Sequence, residues 1–185
     1  RKTAASRLKT YTEGTFVLIT EVDTSGSTTT VSIDNCFTST YRNYFITLED
    51  LSISNSSSKL QFGFRTGGGS GSAGGNNMGG ALQGYLGDDS AITETAVNVG
   101  VVTIQTPSYQ DDDFALQMWV FSPQAASERS TISGRAVYRE GSTSNVGFND
   151  FGFMSISTET HTGFTIKSNS AQLNGGGKIK VYGIK

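Results

Sequence analysis

The sequence predicts an all-β fold, an antiparallel β-sandwich of jelly-roll kind with about ten strands behind a short N-terminal arm. Three observations predict it. Gly, Ser and Thr make up 70 of the 185 residues, a composition suited to short strands joined by many turns. Aromatic residues nevertheless reach 10%, and Val and Ile are frequent, which a disordered chain of the same small-polar bias would lack. Apolar residues recur at every second position through most of the length, and nowhere do they hold a helical spacing over three turns.

The elements follow in order. Residues 1–14 carry Arg1, Lys2, Arg7 and Lys9 with little apolar content. They form a basic arm, either a solvated lead-in or an arm that docks on a neighbouring subunit. Residues 15–185 then form one β-sandwich domain. The run 15–20 is continuously apolar. In 28–34, Val31 and Ile33 share a face. Tyr44, Ile46 and Leu48 lie on one side of the next strand, with Phe45, Thr47 and Glu49 opposite. Leu60, Phe62 and Phe64 point one way within 59–65. Further strands are expected at 97–105, 114–121, 131–138, 146–156, 163–167 and 178–184. Short helical turns fit 93–99 and 124–129. Pro107 and Pro123 stand at or beside strand ends, where a missing N–H is tolerated.

Composition excludes several function classes. With 14 basic and 16 acidic residues, a net charge of −2 and no basic stripe, a nucleic-acid groove is not expected. No stretch approaches the roughly 20 apolar residues of a membrane-spanning helix. The lone Cys36 cannot form an internal disulfide, which fits assembly in a reducing cytoplasm. It reads as a buried structural thiol.

The motifs offer little chemistry. The Gly-rich tract 66–80 follows a strand, but no helix and no Lys-Ser/Thr pair follow it, as a phosphate loop requires. It reads as a long connection or as a contact loop presenting Asn76, Asn77 and Met78. Asp111, Asp112 and Asp113, like Asp88 and Asp89, are adjacent rather than alternating. They suit solvated loops better than a calcium site. His161, the only histidine, is expected exposed in the turn before Gly163. Glu94, Glu128, Glu140 and Glu159 are scattered. The chain is therefore expected to be non-enzymatic, without cofactor or metal. Tyr85, Tyr109, Tyr138 and Trp119 could offer aromatic faces to sugars. Residues 114–121 carry large apolar groups on both faces, so Trp119 suits a core, a subunit interface or a carbohydrate platform.

Two motifs carry a resemblance. Tyr41-Arg-Asn-Tyr-Phe-Ile-Thr-Leu48 is an aromatic-rich strand, and Gly177-Lys-Ile-Lys-Val-Tyr-Gly-Ile-Lys185 is a closing one. With the apolar strand at 16–19, the strand at 60–65 and the variable loop at 67–80, they resemble β-sandwich domains of tailed-bacteriophage virions. Those domains occur on tail fibres, head fibres and capsid decorations. The resemblance implies a structural protein at the virion surface, assembled in the bacterial cytoplasm. It implies a homo-oligomer, trimeric by preference, that contacts other virion proteins and serves particle assembly or attachment to host-surface glycans. Arg1, Lys2, Arg7, Lys9, Asn76, Asn77, Met78, Tyr85, Tyr109 and Trp119 are the candidate partner contacts. A carbohydrate-binding module is the alternative, and a fragment of a glycan depolymerase a more distant one.

Overall fold

The computed structural model describes residues 15–24, 26, 28–53, 60–66, 77–86, 93–99, 102–104, 114–140, 145–155, 158–168 and 172–185. Twelve strands and no helix occur among them: β1 (Phe16–Asp23), β2 (Thr30–Ile33), β3 (Asn43–Glu49), β4 (Leu60–Arg65), β5 (Asn77–Leu86), β6 (Thr93–Val99), β7 (Val102–Ile104), β8 (Phe114–Phe121), β9 (Thr131–Glu140), β10 (Asn145–Ser155), β11 (Gly163–Ser168) and β12 (Lys178–Ile184). They build two antiparallel sheets, one ordered β1-β12-β3-β8-β9-β10-β5-β6 and the other β2-β11-β4-β7.

Without the hairpins β5–β6 and β9–β10, eight strands remain. Among these the last pairs with the first and the nesting continues inwards: β1 on β12, β2 on β11, β3 on β8, β4 on β7. This is the jelly-roll winding. The two hairpins extend the larger sheet alone, from β8 through β9 and β10 to β5 and β6.

Period-2 alternation decides which side chains meet. Tyr44, Ile46 and Leu48 on β3, Leu116, Met118 and Val120 on β8, and Ile179 and Val181 on β12 all point inward and are buried. From the smaller sheet come Leu60, Phe62 and Phe64 on β4, with Phe164 and Ile166 on β11. Phe37, in the β2–β3 loop, fills the end of this core, its ring centroid 4.7 Å from Tyr44 and 5.7 Å from Phe164. Removing a buried aromatic of this kind costs about 3–5 kcal/mol. Cys36 is buried as expected, with burial pushing its thiol up to about 12. Asn149 on β10 is an exception to polar satisfaction, since both its amide atoms are buried without a hydrogen-bond partner.

The two motifs noted in the sequence touch each other. Gly183 lies opposite Tyr44 in register, and the Tyr41 ring lies on it. A Cβ at Gly183 would sit 2.5–2.7 Å from Cγ, Cδ1 and Cδ2 of Tyr41. Three nearly equal distances mean the ring lies face-on, and only glycine admits it. The Tyr44 hydroxyl accepts from the Thr38 N–H at 2.6 Å and donates to the Thr38 carbonyl at 2.7 Å. Tyr44→Phe removes both bonds while keeping the ring, and should cost about 1–3 kcal/mol, read as a lower urea midpoint at unchanged m. At the opposite end, Thr24 binds Gly177 by backbone and side chain, at 2.7 Å and 3.0 Å.

The structure corrects four expectations. The Gly-rich tract ends as a strand, because β5 begins at Asn77 and is paired on both sides, by β10 and β6. Backbone pairing holds it where glycines leave no side-chain alternation to read. Residues 93–99 form β6 rather than a helical turn, with β-branched Thr93, Thr95, Val97 and Val99 at every second position. The single strand expected at 97–105 is two, β6 and β7, in different sheets. Residues 124–129 form turns, with the Ala125 N–H donating to Ser122 and the Glu128 N–H to Ala125.

Candidate functional site

Among the described residues two surfaces bring chemistry-bearing side chains together: a pocket at one end of the sandwich and the outer face of the larger sheet.

The pocket lies where three loops meet. These are residues 34–42 between β2 and β3, residues 122–130 between β8 and β9, and the approach to β11 around His161. Gln124 ties them, its Nε2 donating to the Phe37 carbonyl at 2.8 Å and to the His161 carbonyl at 2.7 Å. The His161 N–H donates to the Pro123 carbonyl at 2.7 Å. Ser122 follows β8 with a φ of 51°, a left-handed conformation costing a serine about 1–3 kcal/mol. Beside it opens a pocket of about 280 Å³ lined by Ser39, Tyr41, Arg42, Ser122, Gln124, Ala125 and Glu128. Arg42 Nη2 donates to both Glu128 oxygens, at 2.9 and 3.0 Å. The Ser122 hydroxyl, and then the Arg42 guanidinium, hold the Glu128 carboxyl below its usual range.

His161 is not the exposed turn residue the sequence predicts. It is 1% exposed, stacked on Phe64 at 4.3 Å, and its Nδ1 shares a 2.8 Å hydrogen bond with the buried Ser130 hydroxyl. Burial pushes its pKa down to about 4. The polar neighbours Thr160 and Thr162 disguise a side chain whose partners lie on β4 and in the β8–β9 loop.

The outer face of the larger sheet reads as rows across the strands. Leu18, Tyr182, Phe45, Trp119 and Ser133 stand in register in one row. The next row holds Glu21, Lys180, Thr47, Gln117, Arg135 and Asp150. A bulge between Leu18 and Thr20 shifts the register of β1 and so turns both Leu18 and Glu21 outward. Phe16 leans over the aromatic row, its ring 5.5 Å from Phe45, 5.9 Å from Trp119 and 6.3 Å from Tyr182. Phe45 and Trp119 are 4.9 Å apart and inclined at 51°. Leu18, Phe16 and Trp119 remain 52%, 45% and 38% exposed, with Phe121 and Met154 beside them. The polar row is locked by ion pairs, Lys180–Glu49 at 2.9 Å and Arg135–Asp150 at 2.5 Å. Of the readings open for Trp119, the core is excluded: Leu116, Met118 and Val120 fill it, and Trp119 points the other way.

The remaining sequence candidates are dispersed. Asn77, Met78 and Tyr85 lie on β5, opposite Ser155, Met154 and Gly147 of β10. Arg1, Lys2, Arg7, Lys9, Asn76 and Tyr109 lie outside the described residues, as do Asp88, Asp89 and Asp111–Asp113. Among the described residues no group of three or more His, Cys, Asp or Glu could hold a metal ion, and no helix is long and apolar enough to cross a membrane. Tyr41, Arg42, Ser122 and Gln124 escape sequence reading, because Arg42 and Glu128 stand 86 positions apart. No protein-family model, no curated protein and no solved structure matches the chain.

Proposed function

We propose that the protein is a non-enzymatic virion structural module that assembles with further copies of itself through the aromatic outer face of its larger sheet. The observation that carries this is the row Tyr182–Phe45–Trp119 with Phe16 across it: Trp119 and Phe16 are exposed, Phe45 and Tyr182 half-buried beneath them, and a charged row borders the whole. An apolar centre with a polar rim is the usual anatomy of a protein–protein interface, and Trp and Tyr dominate the energetics of such patches. Homo-oligomers commonly close on themselves by such shared surfaces. Threefold assembly at a capsid or tail fibre is what the resemblance of the two flanking motifs implies, with attachment to the host surface as the accompanying role.

The same row could serve a carbohydrate-binding module, but its geometry favours a protein partner. A sugar platform needs ring faces left open. Here Phe16 covers part of the row, and the rings of Phe45 and Trp119 are inclined to one another.

Light scattering on the purified chain tests the reading. The expected result is a stable oligomer, and Trp119→Ser should shift it to monomer with the far-ultraviolet spectrum unchanged. Since such an aromatic anchor contributes about 2 kcal/mol or more, association should weaken at least tenfold per interface. A wild-type chain that is monomeric at all concentrations, and binds no capsid or tail component, would overturn it.

A further inference from the structure

The geometry points to a second site: we infer that the end pocket binds one ring of a neutral saccharide. This deepens the attachment role proposed above by giving it a place, and it stands on the chemistry of the pocket rather than on the sheet face.

Size is the first argument. At about 280 Å³ the pocket sits at the lower edge of the about 300–1,000 Å³ typical of small-molecule sites. That suits a single ring and is too small for a macromolecular groove. Charge is the second. Arg42 and Glu128 neutralise one another within the pocket, so neither an anion nor a cation finds an uncompensated partner. What the pair offers instead is a donor beside an acceptor. Nη2 of Arg42 is engaged by Glu128 and Nε by Ser122 at 3.4 Å, which leaves Nη1 to donate. The Glu128 carboxylate, already accepting from Nη2 at both oxygens and from the Ser122 hydroxyl, keeps one lone pair to accept. Adjacent hydroxyls of a sugar, each a donor and an acceptor, match that arrangement.

Pre-organisation is the third argument. Gln124 must turn its Nε2 toward two carbonyls, and this fixes its Oε1 as an acceptor. Tyr41 is held by Gly183 beneath it and by Tyr44 at its side, 6.1 Å away at 73°. The part of the ring they leave uncovered lines the pocket, and an immobilised aromatic beside fixed polar groups suits the apolar patches of a pyranose. Binding then orders little that is not already ordered.

The test is a heteronuclear NMR titration of the whole chain with glucose, galactose, mannose and N-acetylglucosamine in turn, with inorganic phosphate as the charged control. The expected result is saturable shifts from at least one sugar, concentrated in the backbone amides of residues 39–42 and 122–128, and none from phosphate. Glu128→Gln, at a half-exposed position, should weaken that sugar about tenfold, the loss expected for a hydrogen bond to a charged group. Tyr41→Ala should weaken it further. Absence of shifts from all four sugars, shifts centred on the Trp119 row, equal response to phosphate, or unchanged affinity in Glu128→Gln would each overturn the inference. Light scattering on the same samples reads assembly separately, so an intact oligomer with a silent pocket removes the saccharide site alone.

Discussion

Gly183→Ala is expected to destabilise the protein by about 2–3 kcal/mol, the cost of forcing an extra methyl group into a packed site. On strand propensity alone the change should help, because alanine loses less backbone entropy than glycine. The sign is set by Tyr41. The new Cβ would stand 2.5 Å from two ring carbons and 2.7 Å from a third, well inside contact distance. The ring cannot slide away freely, since Tyr44 packs at its side and the Gly183 backbone is tied to β1 and β3. Thermal unfolding should therefore fall by roughly 5–10 °C for a chain of this length. A double-mutant cycle isolates the cause. In a Tyr41→Ala background the obstructing ring is gone, and adding Gly183→Ala should cost nothing measurable. Equal costs of Gly183→Ala in both backgrounds would show that the glycine serves something other than Tyr41. The same substitution should weaken the pocket, because it lifts the ring that lines it.

This contact also shows what the sequence makes legible. The Tyr41–Leu48 and Gly177–Lys185 stretches stand out as strings, and their inward and outward faces follow from alternation alone. Leu60, Phe62 and Phe64 point together for the same reason, as do Leu116, Met118 and Val120. Alternation acts within one strand, and a chain whose strands are half-buried writes it directly into side-chain type. That Tyr41 rests on Gly183, more than 140 positions away, is a property of strand order. The jelly-roll winding brings β12 beside β3, and no local pattern encodes that step.

Where side chains are lacking, or partners come from elsewhere, the reading fails. Gly79 and Gly80 carry no alternation, so β5 is invisible until β10 and β6 are seen on either side of it. The bulge in β1 changes which residues face outward within three positions, and its only trace is an apolar run that already looks two-sided. The pocket is lined by two loops separated by six strands, β3 to β8, and Gln124 ties both to the approach to β11. Arg42, Ser122, Gln124 and Glu128 are each unremarkable where they occur, and become a site only because Gln124 bridges the loops. Trp119 is an intermediate case. Its strand shows two apolar faces, and which of them is core depends on the sheet packed above it.

Acid sensitivity should belong chiefly to His161. Its unfolded pKa is near 6.5, while burial against Phe64 and Ser130 pushes the folded value down to about 4. Between those values the unfolded chain binds more protons than the folded one, so stability rises with pH across the window. The contribution is fully present above about pH 6.5, falls steadily below it, and is lost by about pH 4, for a total of about 3 kcal/mol. The carboxylates held low by ion pairs, Asp150 beside Arg135 and Glu128 beside Ser122 and Arg42, titrate below the ordinary carboxylate range. Their acid losses therefore fall mainly beneath this window. Urea unfolding at intervals from pH 7 to pH 4 should show the slope. His161→Asn keeps a hydrogen-bonding group near Ser130 but cannot take up a proton in this range. It should be less stable at neutral pH through loss of the stack on Phe64, yet nearly flat from pH 6.5 to 4. A wild-type profile without slope in that window, or a slope that survives in His161→Asn, would show that the imidazole is not the group being charged.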